Sequence, residues 1–159
     1  MTVRVGSIYD RQKRNNDFDS ENFLQVNCCG IYEKTAENAG TLRPHGRKDY
    51  QMVFISKGGA AFMRGDKEIL LSGGDMILIP PNERNEYRYS DPVDAMWIHF
   101  TGTAAERIVR EYSIEPFRIY HVSDTTHFFL YAEKIIKEFQ LQRVGFMNNC
   151  NGYLLNMLT

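Results

Sequence analysis

Few residues of this chain have the types and spacing that chemistry demands. Among its 159 residues are four histidines and three cysteines. Cys28 and Cys29 are adjacent, so in an extended segment they point to opposite faces, and Cys150 lies far along the chain. No CxxC or Cys/His spacing suits zinc, and buried thiols in a reducing compartment are expected instead. His121 and His127 carry no pattern. No paired carboxylate or nucleophile–base arrangement occurs at a spacing that rises above chance. Trp97 is the sole tryptophan, and His99, two residues on, shares its face if the segment is a strand. Such an indole is either a stacking platform or part of a core, and the imidazole either a polar pocket group or a satisfied core histidine. Arg64-Gly65-Asp66 spells a cell-adhesion tripeptide, but its place between two apolar runs makes it a hairpin tip.

The elements that would position these residues are mostly short strands. Leu24 to Cys28 alternates apolar and polar, the period of a half-buried strand. Met52 to Ile55 is a short apolar run ending near Gly58-Gly59. Ala60 to Arg64 and Lys67 to Leu71 flank Gly65-Asp66, a hairpin signal. Met76 to Ile79 stops at Pro80-Pro81, and Asn85 to Tyr89 and Ala95 to Phe100 complete the set. Short strands punctuated by Gly, Pro, Asn and Asp predict a sandwich or barrel rather than alternating βαβ units.

Beyond Gly102 the period changes to helical. Thr103 and Glu106 have the spacing of a capping box. After an extended stretch at Arg118 to His121, Ser123 or Asp124 is placed to cap a second helix, with Phe128, Ala132, Ile135 and Phe139 on one face. A third helix carries Phe146, Cys150, Tyr153, Leu154 and Met157 on one side. The apolar, helical final residues Leu154 to Thr159 are expected to be a truncation inside or just after a helix.

Composition narrows the function classes. Apolar residues at 43% and charged residues at 25% are ordinary for a globular domain. No apolar run approaches the ~20 residues that span a bilayer, and no signal peptide follows Met1, so a cytoplasmic protein is expected. With 19 basic and 20 acidic residues the net charge is -1. Beyond a short cluster at Arg11, Lys13 and Arg14, the bases are scattered. Nucleic-acid binding by this segment alone is therefore not expected.

The segment Gly40 to Tyr89 resembles the cupin superfamily of small jelly-roll barrels. Gly58, Gly74 and Pro80 match the structural positions of its two motifs. Its four metal-ligand positions fall on His45, Arg47, Gln51 and Asn85. An arginine cannot ligate a cation, and one imidazole with two amides makes a poor site for iron, manganese or zinc. No metal and no cofactor are expected, with the barrel kept as a binding pocket.

A second resemblance is more specific. Arg43-Pro44-His45-Gly46 with Tyr50, Gly73 to Pro81, and Trp97-Ile98-His99-Phe100 leading into a helix together resemble the sensor domain of AraC-type transcription regulators. That resemblance implies a mainly β fold, a cupin-like jelly-roll barrel followed by α-helices. It divides the chain into an N-terminal arm (1–22), a ligand-binding barrel (23–102) and a helical dimerisation segment (103–159). The resemblance also implies a helix-turn-helix DNA-binding domain, which is expected to lie outside this sequence. The partners implied are a small-molecule effector, a carbohydrate in the arabinose-responsive type, and a second copy of the chain. Matching by motif position puts the sugar-lining residues at Arg43, Tyr87 and Trp97, with His45 and His99 as further candidates. An indole face stacks on sugar C–H groups, while guanidinium and phenol supply directed hydrogen bonds. A histidine of that pocket, two residues before the tryptophan, is Ala95 here. The apolar stripe of Phe128, Ile135, Phe139, Phe146, Cys150 and Leu154 either packs on the barrel or meets a partner, and dimerisation is expected there. The rival from another class is a metal-independent cupin enzyme, a sugar isomerase or epimerase, which needs a His–Asp or Tyr–His pair converging in the barrel.

Overall fold

A computed structural model describes residues 2–8, 21–35, 40–90 and 92–159. Ten strands and three helices follow in order: β1 (Thr2–Ser7), β2 (Gln25–Thr35), β3 (Gly40–Arg43), β4 (Tyr50–Lys57), β5 (Gly59–Arg64), β6 (Lys67–Ser72), β7 (Asp75–Ile79), β8 (Asn85–Tyr89), β9 (Val93–Thr101), α1 (Ala105–Glu111), β10 (Ile119–His121), α2 (Thr125–Leu141) and α3 (Phe146–Leu158). The larger sheet runs β1-β2-β9-β4-β7-β10 and the smaller β3-β8-β5-β6, and every pairing within them is antiparallel. The fold is mainly β, a jelly-roll-like pair of sheets followed by helices, as expected.

Burial explains why the strands read so differently in sequence. One face of the larger sheet looks into the sandwich, where Val53, Ile55, Ile77 and Ala95 meet Phe62, Leu71 and Tyr87 of the smaller sheet. Its other face carries Met52, Phe54, Leu78, Ile98 and Phe100 against the helices. A sheet covered on both sides gives near-continuous apolar runs, hence Met52–Ile55 and Met76–Ile79. The smaller sheet is covered on one side only, so β8 alternates, with Asn85, Tyr87 and Tyr89 inward and Arg88 in solvent. Arg64 pairs with Lys67 across the two-residue turn Gly65-Asp66, which is the hairpin tip expected.

Three local expectations are corrected. The stretch expected as an arm divides: Thr2–Ser7 forms the edge strand β1, while 9–20 lie outside the described residues. The capping box is not formed. Ala104 is the N-cap of α1 and makes no side-chain cap bond, while the N–H groups of Thr103 and Ala104 donate to Asn22 and Phe23 carbonyls. Asp124 does cap α2, accepting from the Thr126 N–H at 3.0 Å.

The third correction concerns the helical stripe. Ile135, Phe139, Cys150 and Leu154 are buried within this chain's own core, between α2, α3 and the larger sheet. Phe128 and Phe146 are partly buried beside them, with Phe128 4.8 Å from the Phe54 ring and Phe146 5.9 Å from Phe139. These six side chains cover the sheet, so most of them are withdrawn from any surface that could meet a second copy. On α2, α3 and the turn between them, the exposed large apolar side chains are Leu130, Leu141 and Val144.

Candidate functional site

Strand alternation sends one set of polar side chains into the open side of the sandwich. On β9, Trp97 and His99 share the inward face with Val93 and Ala95. Thr41 of β3 stands opposite Tyr87 of β8, and Arg43 opposite Asn85. Cys28, Gly30 and Tyr32 of β2 face the same space, opposite His99, Trp97 and Ala95. The result is a cleft of about 210 Å³ lined by Cys28, Tyr32, Thr41, Arg43, Arg47, Tyr87, Trp97 and His99.

Four of the five residues expected in a ligand pocket, Arg43, Tyr87, Trp97 and His99, therefore come together. His45 does not. It is exposed on the turn after β3, because Gly46 reverses the chain there with φ 66° and its N–H donates to Arg43. Cys28, Tyr32, Thr41 and Arg47 were not anticipated. Tyr32 carried a signal in its even spacing from Cys28 along an alternating strand. Thr41 carried none, because β3 is four residues long.

The floor is aromatic. The Tyr32 and Trp97 rings lie 4.3 Å apart at 32°, Tyr32 meets Tyr89 edge-on at 5.8 Å, and Tyr87 stacks on Phe62 at 4.6 Å. Trp97 is only partly buried, leaving part of the ring open to the cleft.

The wall is a chain of polar groups. Arg43 Nη1 donates to Gln51 Oε1 at 2.8 Å, and Gln51 Nε2 to the Tyr87 hydroxyl at 3.2 Å. Arg47 grips Asp49 side-on, Nε to Oδ1 at 2.6 Å and Nη2 to Oδ2 at 3.0 Å. His99 Nδ1 lies 3.3 Å from Asp49 Oδ1, and Asn27 Nδ2 donates to Oδ2 at 3.1 Å. The register between β2 and β9 shifts between Val26 and Cys28, and this bulge at Asn27 is what brings its amide to Asp49. Gln25 Nε2 extends the chain by donating to Asn27 Oδ1 at 3.0 Å. Beyond it, Asn151 of α3 accepts from the Val26 N–H at 3.1 Å and donates to the Leu24 carbonyl at 2.7 Å. Hydrogen bonds thus connect the cleft to the strand backbone that α3 holds.

The ionisation states follow from this wall. Burial, the largest influence, pushes Asp49 up, but hydrogen bonds from His99 and Arg47 and their charges outweigh it and hold the carboxyl below the usual range. Burial drives His99 down to about 4 against the pull of Asp49, so the imidazole is neutral at pH 7. An ionised Asp49 only accepts, which puts the His99 proton on Nδ1 and leaves Nε2 as an acceptor. Burial also pushes the Cys28 thiol up to about 11, so it is protonated and a weak nucleophile.

Larger hollows, about 260 and 340 Å³, lie along the smaller sheet and take in residues of its solvent face such as Leu42, Met63, Leu70 and Arg88. They lack the convergence of directed polar groups on an aromatic floor that marks a ligand site, and the interior cleft has it.

Two facing sheets with an aromatic, arginine-edged cleft between them define a jelly-roll ligand-binding domain. Residues 30–146 match the AraC-like ligand binding domain, and the chain belongs to that family. Among solved structures, the chain is similar to apo ToxT from Vibrio cholerae, with TM-score 0.56 and 10% identity over 91% of this chain and 56% of that one. It is also similar to YhaK from Escherichia coli, with TM-score 0.51 and 11% identity over 77% of this chain and 52% of that one. At such identities the likeness is one of fold. The chain spans about half the length of either structure. No curated protein matches it significantly in sequence.

Proposed function

We propose that this chain is the effector-sensing domain of an AraC-type transcription regulator, taking a carbohydrate into the interior cleft and passing the event to a DNA-binding domain. The observation that carries this reading is the convergence of Trp97, Tyr87, Arg43 and His99 on one cleft in a chain of this family. At about 210 Å³ the cleft is below the roughly 300–1,000 Å³ of drug-sized pockets, which favours a monosaccharide over a longer glycan. An indole and a phenol take the C–H faces of a sugar ring, while Arg43, Thr41 and the acceptor nitrogen of His99 match its hydroxyls.

Linkage supplies the mechanism. An effector that binds one arrangement of cleft and helices better than another shifts the population toward it. The hydrogen bonds from His99 and Asp49 to Gln25, whose flanking backbone Asn151 holds, support α3 as the element that responds. A homodimer is part of this reading, and the exposed Leu130, Leu141 and Val144 are its surface on the helical segment.

The enzyme reading has one observation in its favour, the His99–Asp49 pair inside the sandwich. A general base works best with a pKa near the operating pH. With His99 down at about 4 and Asp49 gripped by Arg47, the pair is a weak base, and the sensor reading is preferred.

Calorimetric titration with a panel of pentoses and hexoses tests the proposal. Saturable heat in the wild type, lost in Trp97→Ala, is the expected result. Saturable heat that Trp97→Ala leaves intact would move the binding site elsewhere.

A further inference from the structure

Most arginines of this protein have their charge met by an acid: Arg4 contacts Glu33 and Glu133, Arg88 contacts Glu68, and Arg143 contacts Glu138. Within the cleft, Arg47 is satisfied side-on by Asp49. Arg43 differs. It is partly buried, and among the described residues its hydrogen-bond partner is a neutral amide, Gln51, engaged through Nη1. The Nε–Nη2 edge, the pair of donors that grips a carboxylate or phosphate, has no partner among the described residues. Among the described residues no aspartate or glutamate lines the cleft. Asp49, behind it, already accepts from Arg47 and Asn27 and contacts His99. Among the described residues the cleft therefore holds one positive charge more than it neutralises, and His99, neutral, does not change that sum.

We propose that the effector is an anion, a sugar acid or sugar phosphate whose carboxylate or phosphate sits on the open edge of Arg43 while its ring lies on Trp97 and Tyr32. A partly desolvated guanidinium without a counter-ion is costly, and an anionic ligand relieves that cost on binding where a neutral sugar does not. This inference rests on the interior cleft being the effector site.

The test is Trp97 emission of the 159-residue chain titrated with matched pairs: galacturonate and galactose, glucuronate and glucose, ribose 5-phosphate and ribose. At least one charged member should bind about tenfold or more tighter than its neutral parent, with the margin shrinking as salt is raised. Arg43→Gln should erase that margin, so that each charged member binds no tighter than its neutral parent in the same variant, and Arg43→Lys should retain part of it. Thermal unfolding of both variants shows that they are folded. Pairs that bind alike, or a margin that survives Arg43→Gln, would overturn the charge inference and leave the carbohydrate site standing. A panel with no saturable response from any member would overturn both together.

Discussion

The indole of Trp97 lies directly over Gly30, its partner across β2 and β9: a Cβ at position 30 would stand 2.1 Å from Trp97 Cζ2. The absence of a side chain at Gly30 is what lets the ring settle against the strand beside Tyr32. Gly30→Ala should force the indole out of place, at about 1–3 kcal/mol in stability. The tryptophan emission maximum and the carbohydrate response should change together. Wild-type emission and binding in this variant would mean that the indole is not held as described.

The pH dependence of stability should report His99. Its folded pKa, about 4, is below the ordinary 6.5, so below pH 6.5 the unfolded chain binds the proton more readily than the folded one. The stabilisation is full above that value and is lost as pH falls toward 4, by roughly 3 kcal/mol in all. Asp49, also held low, adds a further loss in more acidic solution. Urea midpoints measured between pH 7.5 and pH 4.5 should fall in the wild type and fall much less in His99→Gln. Parallel curves for the two proteins would contradict this.

Asn151 clamps α3 to the backbone on either side of Gln25. Asn151→Ala leaves two backbone groups to find new partners and should cost about 1–3 kcal/mol. Asn151→Asp keeps the acceptor for Val26 N–H but puts an oxygen against the Leu24 carbonyl, so it should cost at least as much. Chemical denaturation measures both. An unchanged midpoint in Asn151→Asp would show that the donated bond contributes nothing.

The helical segment separates core from surface. Leu154→Ala should lower stability by about 2–5 kcal/mol, as a fully buried side chain does, without a specific effect on association. Leu141→Glu and Val144→Glu, at exposed positions, should leave stability nearly unchanged and weaken a dimer. Light scattering across a concentration series reads both. A dimer that is indifferent to Leu141→Glu and Val144→Glu would remove that surface from the account.

Much of this was legible in the residues. Alternation in β8 and the Gly65-Asp66 turn have strong local causes, and both stand in the structure. The resemblance to AraC-type sensors is what points to Arg43, Tyr87 and Trp97 together, and alternation adds His99 on the face of Trp97. Tertiary contacts decided the rest. Thr103 has the letters of a cap, but its N–H is taken by the segment at Asn22. Ile135, Phe139 and Leu154 form a stripe that suits a partner or a sheet, and only packing distinguishes the two. Asn27 reaches Asp49 through a bulge, which shifts facing by one residue and leaves little trace in the pattern.

The central claim, that effector binds in the interior cleft, is tested most directly by nitrogen–proton correlation spectra of the labelled chain titrated with the sugar and sugar-acid panel. The single tryptophan gives one indole N–H signal, which reports the floor of the cleft. Saturable shifts of that signal, of the Arg43 Nε–H and of the amides of Tyr32 and Tyr87 are the predicted result. Saturable shifts confined to Ala61, Met63 and Arg88 on the outer face of the smaller sheet, with the indole signal unmoved, would contradict it.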